Sequence, residues 1–373
     1  MSIPVLVTFV IYFVVLIAIG LHFCRKSTSI DDYLLGGRAM GSWVTALSAQ
    51  ASDMSGWLLM GLPGAIYLGG LGNSWIAIGL FIGTVFNWIL ISAPLRVYTE
   101  KVDAITLPCF FEARFKDPTG LLRTVSAIIT LIFFTIYASS GLVAAGKLFN
   151  SIFDVNYHTA VIIGGVVIIL YTFLGGFLAV CWTDLFQGLL MVFAITVVPL
   201  LGLKSIGGIM LAAILSAVMS TIDSQLLVSS SALTEDFYQK VIKKDASEKE
   251  VVLIGRICVI IISAIALVLA MDENSSILGI VAYAWGGLGA AFGPVVFFAL
   301  FSKNTTWFSA LAGMVVGTVV LVLWERLGYS GVLYEIVPGF AANCLVIWTV
   351  NTFAPQKDPQ VIKTFEEVKT SLK

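Results

Sequence analysis

TALSAQASDMSGWLLMGLPGA, residues 45–65, is apolar enough to cross a bilayer, yet it carries one carboxylate, Asp53, among small residues. An ionisable group at membrane depth is costly and normally faces a partner, an ion or a water-filled path. Ala49, Ala51, Ser52, Ser55 and Gly56 surround it, and small residues let helices approach and let the backbone leave helical geometry. Carbonyls released at such a break can hold a cation, provided that the break lies against protein or a cavity. An unseen Arg or Lys partner would explain Asp53 as well, but the interiors of the expected spans hold no Arg or Lys.

The rest of the chain has the same character. Hydrophobic residues make up 59% of its 373 residues and charged residues 12%, with a mean hydropathy of +1.00. A typical soluble protein carries about 25% charged residues. Apolar runs of about 20 residues, long enough for a helix to cross the hydrocarbon core, recur throughout. They predict eleven spans near 4–24, 43–66, 73–95, 122–146, 158–178, 184–203, 209–232, 252–271, 277–300, 307–326 and 334–353. The first reads as a retained helix, because it lacks the charged start and the small-residue cleavage site of a leader.

With the N-terminus outside, 18 of the 21 Lys and Arg fall on the cytoplasmic side, leaving Lys147, Lys204 and Arg326 outside. The positive-inside rule supports that orientation and a cytoplasmic C-terminus. A net charge of −1 offers no basic surface for nucleic acid. Five cysteines without CxxC spacing and two histidines, His22 and His158, argue against a disulfide framework, a zinc site or a histidine-based catalytic cluster. No nucleophile and base pair points to an enzyme. The lipid bilayer is the partner that composition implies.

Two longer cytoplasmic loops, 96–121 and 233–251, carry amphipathic stretches around Phe110, Phe111 and Phe115 and around Phe237, Tyr238, Val241 and Ile242, which suit pieces lying on the membrane surface. Breaks are expected at Gly61–Gly64, Gly175-Gly176, Gly207-Gly208, Gly286-Gly287 and Gly293-Pro294. Residues 354–373 read as a polar tail, helical around 361–368.

The second informative stretch, AAILSAVMSTIDSQLLVSSSALTED (212–236), crowds hydroxyls into one span. A helical Ser or Thr side chain can reach the carbonyl one turn back, so Ser220, Thr221 and the Ala217 carbonyl can converge. With carbonyls from the Ala51 and Met54 region they make five neutral oxygen ligands, a set that suits Na⁺. Helix packing through small and hydroxylated residues accounts for the same pattern. Asp184, after Trp182-Thr183, is placed by the expected boundaries at a helix start, where capping competes with function. Tyr137 stands beside Ser139 and Ser140 in an aromatic patch and suits core packing.

SDMSGWLLMGLPGA (52–65), FFTIYASSG (133–141), LGGFLAVCWTDLFQ (174–187), LSAVMSTIDSQLLVSSSALTEDFY (215–238), AYAWGGLGAAFGPVV (282–296) and YEIVPGF (334–340) together resemble the sodium–solute symporter family, in its proline-carrying branch. The resemblance implies an all-α membrane protein, an inverted-repeat bundle like that of the bacterial leucine transporter. It implies Na⁺-coupled symport of L-proline by alternating access in a bacterial-type cytoplasmic membrane, with no cofactor beyond the coupling ion. Na⁺ would be held by Ala51, Met54, Ala217, Ser220 and Thr221; Asp53, Ser55, Gly56 and Asp184 would couple ion to substrate; Trp57 and Tyr137 would meet the proline. The transporter domain would run over 1–353, with a first repeat at about 43–203, a second at about 209–300 and accessory helices at 4–24, 307–326 and 334–353. One departure stands out. Between 203 and 209 the chain joins two spans directly, where the family has two further helices, so the second repeat is expected to be incomplete. An internally deleted, transport-inactive remnant and a symporter of another small solute are the alternatives.

Overall fold

The computed structural model describes residues 3–24, 40–201, 207–243 and 245–372; side chains at 3–6, 23–24, 168–171, 173–175, 198–201, 207–208 and 241 are outside the description. The join at 203–206 and the basic residues Arg25, Lys26, Arg38 and Lys204 lie outside the described residues. The described chain is all helical. Its elements are α1 (Ile3–Cys24), α2 (Ser42–Asp53), a π turn (Trp57–Gly61) leading into α3 (Leu62–Gly69), α4 (Ser74–Phe86), a second π turn (Asn87–Ser92) leading into α5 (Ala93–Lys101), and α6 (Leu107–Phe115). There follow α7 (Leu121–Phe153), α8 (Tyr157–Leu201), α9 (Gly207–Ser231) with a π-helical extension (Ala232–Ile242), α10 (Glu248–Leu269), α11 (Ile277–Phe301), α12 (Trp307–Arg326), α13 (Ile336–Phe353) and α14 (Pro359–Ser371).

Eight helices among the described residues are long and apolar enough to cross a membrane. Three shorter apolar helices, Val7–His22, Trp57–Gly69 and Tyr157–Val167, fall where the other three spans are expected.

The chain forms two compact units. The first comprises Met1–Asn73, Phe134–Thr234 and Lys243–Val281; in it α1, α2, α8, α9 and α10 pack on one another. Small residues set the spacing. A Cβ on Gly141 would fall 2.5 Å from the Ile222 side chain, and one on Gly165 would fall 2.8 Å from Leu267. Polar side chains tie the helices: Tyr157 donates to the Ala270 carbonyl at 2.8 Å, and Ser230 to the Gly255 carbonyl at 2.7 Å.

The second unit comprises Ser74–Phe133, Glu235–Ile242 and Ala282–Lys373. Here α12 and α13 pair through Gly313, Gly317 and Gly339, and Asn343 donates to the carbonyls of Ala290 and Ala291. Helix α6 carries the buried Phe110, Phe111, Phe115 and Arg114. The expectation of a surface-lying piece is therefore wrong for this segment, because its aromatic face is covered by protein. Arg114 donates to the carbonyls of Ala299 and Ser302 at the end of α11, where a cation suits the negative end of a helix. Burial lowers its pKa from the ordinary value.

The tail is ordered. Val361, Phe365 and Val368 of α14 are buried, and Phe365 lies over the Arg114 guanidinium. Lys101 pairs with Glu367, and its hydrogen bond holds that carboxyl below the ordinary range. A lowered carboxyl pKa contributes stability at neutral pH that is lost only as pH falls through the lowered value. Exposed pairs of this kind contribute little, so the apolar contacts dominate the docking. Phe365→Ala is expected to cost about 3 kcal/mol and to release α14, read as loss of amide protection over 359–371 in hydrogen exchange. Lys101→Ala should leave that protection nearly unchanged.

The expected breaks fare unequally. Gly176 adopts φ +60° inside α8 and divides it into two spans, a conformation that glycine alone adopts without strain. At Gly61–Gly64 the chain is helical, with Pro63 in the first turn of α3, and the break comes earlier, at Met54-Ser55. Helix α11 runs unbroken through Gly286-Gly287 and Gly293-Pro294. Its glycines give close approach instead: Gly287 faces the Phe133 ring and Gly293 faces Phe340.

Candidate functional site

Helix α2 ends at Asp53, and the backbone explains how. Met54 has φ −77° and ψ 81°, and the Ser55 N–H donates to the Asp53 carbonyl at 3.0 Å, an inverse γ-turn. The Leu58 N–H donates to the Ser55 carbonyl, and the Ser55 hydroxyl accepts from the Trp57 N–H. The two amides that a continuous helix would return to Ala51 and Met54 are thus engaged elsewhere. Gly56 has ordinary helical angles, so its glycine is demanded by space: an added Cβ would fall 2.5 Å from the Ala144 Cβ and 3.2 Å from Val218. Gly56→Ala is expected to cost about 1–3 kcal/mol through overpacking, measured as a fall in unfolding temperature, while Gly64→Ala, in open space, should not.

The released Ala51 carbonyl meets α9. Ser220 Oγ donates to it at 2.9 Å and to the Ala217 carbonyl at 3.3 Å; Thr221 Oγ1 lies 3.4 Å from the first and 3.1 Å from the second. Two hydroxyls and two carbonyls from two helices therefore share one point inside the first unit. Ala51, Ala217, Ser220 and Thr221 are all buried, and Met54 packs against the Ala51–Ala217 core. With rotation of the hydroxyl protons, these oxygens can turn lone pairs toward a small hard cation.

Asp53 is half-buried at the break, and its carbonyl accepts from Trp57 Nε1 at 2.9 Å and from the Tyr137 hydroxyl at 3.4 Å. Trp57 and Tyr137, both buried, thereby meet the backbone of Asp53. Tyr137 keeps its place in the core and gains a polar contact as well.

Asp184 departs from expectation. It lies two turns past the break at Gly176, fully buried inside α8, so it does not cap a helix. Ser48 donates to its Oδ2 at 2.7 Å, and Ser52 lies 3.3 Å from the same oxygen and 2.7 Å from the Ser224 hydroxyl. Among the described residues Oδ1 has no hydrogen-bond partner. Asp223 of α9 is also fully buried. Nearby, Gln187 Nε2 donates to the Tyr12 hydroxyl of α1 at 2.7 Å. The sequence reading passes over Ser48 and Asp223. The signal was present: Ser48 and Ser52 stand four apart on one face of α2, and Asp223 is an acid inside an apolar span, as Asp53 is.

A model of the family described as "Sodium:solute symporter family" matches residues 33–209 and 198–317. The sodium/proline symporter of Haemophilus influenzae is 38% identical over 496 aligned positions, covering 99% of this chain and 98% of the relative. That of Escherichia coli is 37% identical, covering 98% and 96%, and the high-affinity proline transporter PutP of Bacillus subtilis is 37% identical, covering 96% and 100%. An alignment of 496 positions against 373 residues leaves more than a hundred positions of the relative unmatched, and the two segments of the family model meet at 198–209, where the sequence joins two spans directly. Among solved structures, a Na⁺-coupled sialic acid symporter in a substrate-bound outward-open state matches with a TM-score of 0.78 at 15% identity, over 95% of this chain and 99% of that one. It has the same all-helical, multi-span fold. With the helix break, the buried hydroxyls and these matches in agreement, the chain belongs to the sodium:solute symporter family of secondary active transporters, which move a small solute with Na⁺.

Proposed function

We propose that the chain carries L-proline with Na⁺ across a bacterial cytoplasmic membrane, N-terminus outside and C-terminus inside. Na⁺ is held by Ala51, Met54, Ala217, Ser220 and Thr221; Asp53, Ser55 and Gly56 transmit its binding to the solute; Trp57 and Tyr137 meet the proline; Asp184 lies on the ion's cytoplasmic route. The observation that carries this reading is the pair of α9 hydroxyls aimed at the Ala51 carbonyl across the broken helix. The proline symporters among the relatives support the choice of solute. In the proposed order, Na⁺ first draws α2 and α9 together, which fixes the Asp53 carbonyl and the two aromatic residues gathered on it. The ion thus prepares the solute site, and a ligand can shift a conformational equilibrium only through such differential contacts. The first repeat is assigned to about 43–203 and the shortened second to about 209–300.

Competition tests the solute. Unlabelled L-proline should suppress Na⁺-dependent uptake of labelled proline, and pantothenate, choline or a sugar should not. Suppression by one of the latter would reassign the solute and leave the ion site standing.

A second reading, favoured by the unmatched stretch of the relatives, is a chain that keeps the ion site but no longer transports. It is distinguished by Na⁺ binding without proline accumulation in a well-inserted chain.

A further inference from the structure

Beneath α14, within the second unit, lies a buried cation that no acid neutralises. Arg114 is 1% exposed, and among the described residues no carboxylate pairs with it. Its Nε and Nη2 donate to the Ala299 and Ser302 carbonyls, and the rings of Tyr98, Phe115 and Phe365 stand 5.1–5.2 Å from the guanidinium carbon. Its Nη1 has no hydrogen-bond partner among the described residues, and neither has the hydroxyl of Tyr98, itself 1% exposed. Carbonyl dipoles and ring faces lower the cost of a buried charge but supply no counter-charge. Two unsatisfied donors on neighbouring side chains, one of them cationic, suit an anion.

The rim of the same surface is basic, and α14 meets it with acids. Glu367 lies 2.5 Å from Lys101, Asp358 lies 4.0 Å from Lys116, and Glu366 lies 3.9 Å from Lys303. All six side chains are partly exposed, so these pairs contribute little and another anion can replace the acids of α14. In the orientation proposed above this surface meets the cytoplasmic leaflet, whose anionic lipids concentrate phosphate there. Basic pockets on that side hold phosphate head groups, and the arginine fork matches phosphate oxygens. We propose that Arg114 and Tyr98, with Lys101, Lys116 and Lys303 at the rim, form a binding site for the phosphate of an anionic phospholipid, and that α14 is its displaceable cover. Only the choice of leaflet rests on the proposed orientation; the solute and the ion site do not enter.

The test counts bound molecules by native mass spectrometry of the full chain in detergent, offered phosphatidylglycerol, phosphatidylcholine or inorganic phosphate. Detergent gives lipid access to both faces, so the result does not depend on the orientation. Phe365→Ala, which removes the main apolar contact of the cover, should raise retention of phosphatidylglycerol about tenfold over the parent. Phosphatidylcholine, which has no net charge, should show no such rise. Arg114→Met added to Phe365→Ala should return retention to the parent's level. Lys101→Ala/Lys303→Ala added to Phe365→Ala should lower it severalfold at the same unfolding temperature, which keeps the test open where Arg114→Met does not fold. Unchanged retention in Phe365→Ala, or a rise that survives loss of the arginine or of both lysines, overturns the proposal. Inorganic phosphate retained in place of the lipid overturns the lipid assignment and makes a soluble phosphate the occupant.

Discussion

Na⁺ is expected to raise the unfolding temperature of the detergent-solubilised chain, and Ser220→Ala/Thr221→Val is expected to abolish that rise. At a Na⁺ concentration a hundredfold above its dissociation constant, binding to the folded state alone adds about 2.7 kcal/mol. The two hydroxyls now donate to the Ala51 and Ala217 carbonyls at 2.9–3.4 Å, so four oxygens are gathered before the ion arrives. An interaction with a charged partner is worth about 1.5–3 kcal/mol per group, so loss of both hydroxyls should weaken Na⁺ binding by about a hundredfold or more. Thr221→Val keeps the shape, and Ser220→Ala removes one oxygen, so a change in core packing is not the cause of the loss. K⁺ should produce no shift in either protein. A full Na⁺ shift in the double variant would remove these hydroxyls from the ion site.

The second large effect lies in the second unit. Arg123 Nε donates to Asp236 Oδ1 at 2.6 Å, its Nη1 to Glu112 at 3.2 Å and its Nη2 to the Glu235 carbonyl at 3.1 Å, while Thr106 also donates to Asp236. The Arg123 side chain is 9% exposed and that of Asp236 is fully buried. Removing one partner leaves an uncompensated buried charge, so Arg123→Leu should cost about 3–5 kcal/mol. Arg123→Leu/Asp236→Leu together should cost less than Arg123→Leu alone, because the fully buried Asp236 carboxylate is then not stranded, while Glu112 and Glu235 at the rim of the cluster lose Arg123 in both. The pair of measurements, by thermal unfolding in one detergent, gives the sign of the coupling. A double variant as unstable as the sum of its parts would show that the two side chains do not act on each other.

The positions of the spans were legible in the sequence, eight as long apolar helices and three as shorter ones among the described residues, because a span declares itself by about twenty apolar residues in a row. So was the pairing of α2 with α9: a carboxylate among small residues and a cluster of hydroxyls are both unusual at membrane depth, and both needed a partner. The place of the breaks was less legible. Gly and Pro mark where a helix is permitted to break, but Gly287 and Gly293 serve close packing against Phe133 and Phe340, while the break at Met54-Ser55 falls in the Ala51–Met54 region, among the small residues around Asp53, where the sequence predicts one. Asp184 was misplaced because the helix restarts at Gly176, eight residues earlier than the polar Thr183-Asp184 pair suggests. The burial of α6 could not be read from its amphipathic pattern, since lipid and protein cover an aromatic face equally well. The polar cluster around Asp184 depends on residues far apart in sequence, Ser48, Asp184 and Ser224, and only the fold brings them together.

The most direct test of Na⁺-coupled proline symport is uptake of radiolabelled proline into proteoliposomes holding this chain, under an imposed inward Na⁺ gradient with a K⁺ control and Asp53→Asn in parallel. Accumulation that requires Na⁺ and is lost in Asp53→Asn is the expected result. A well-inserted chain that accumulates no proline under the gradient, or accumulates it equally with K⁺, would contradict the symport reading.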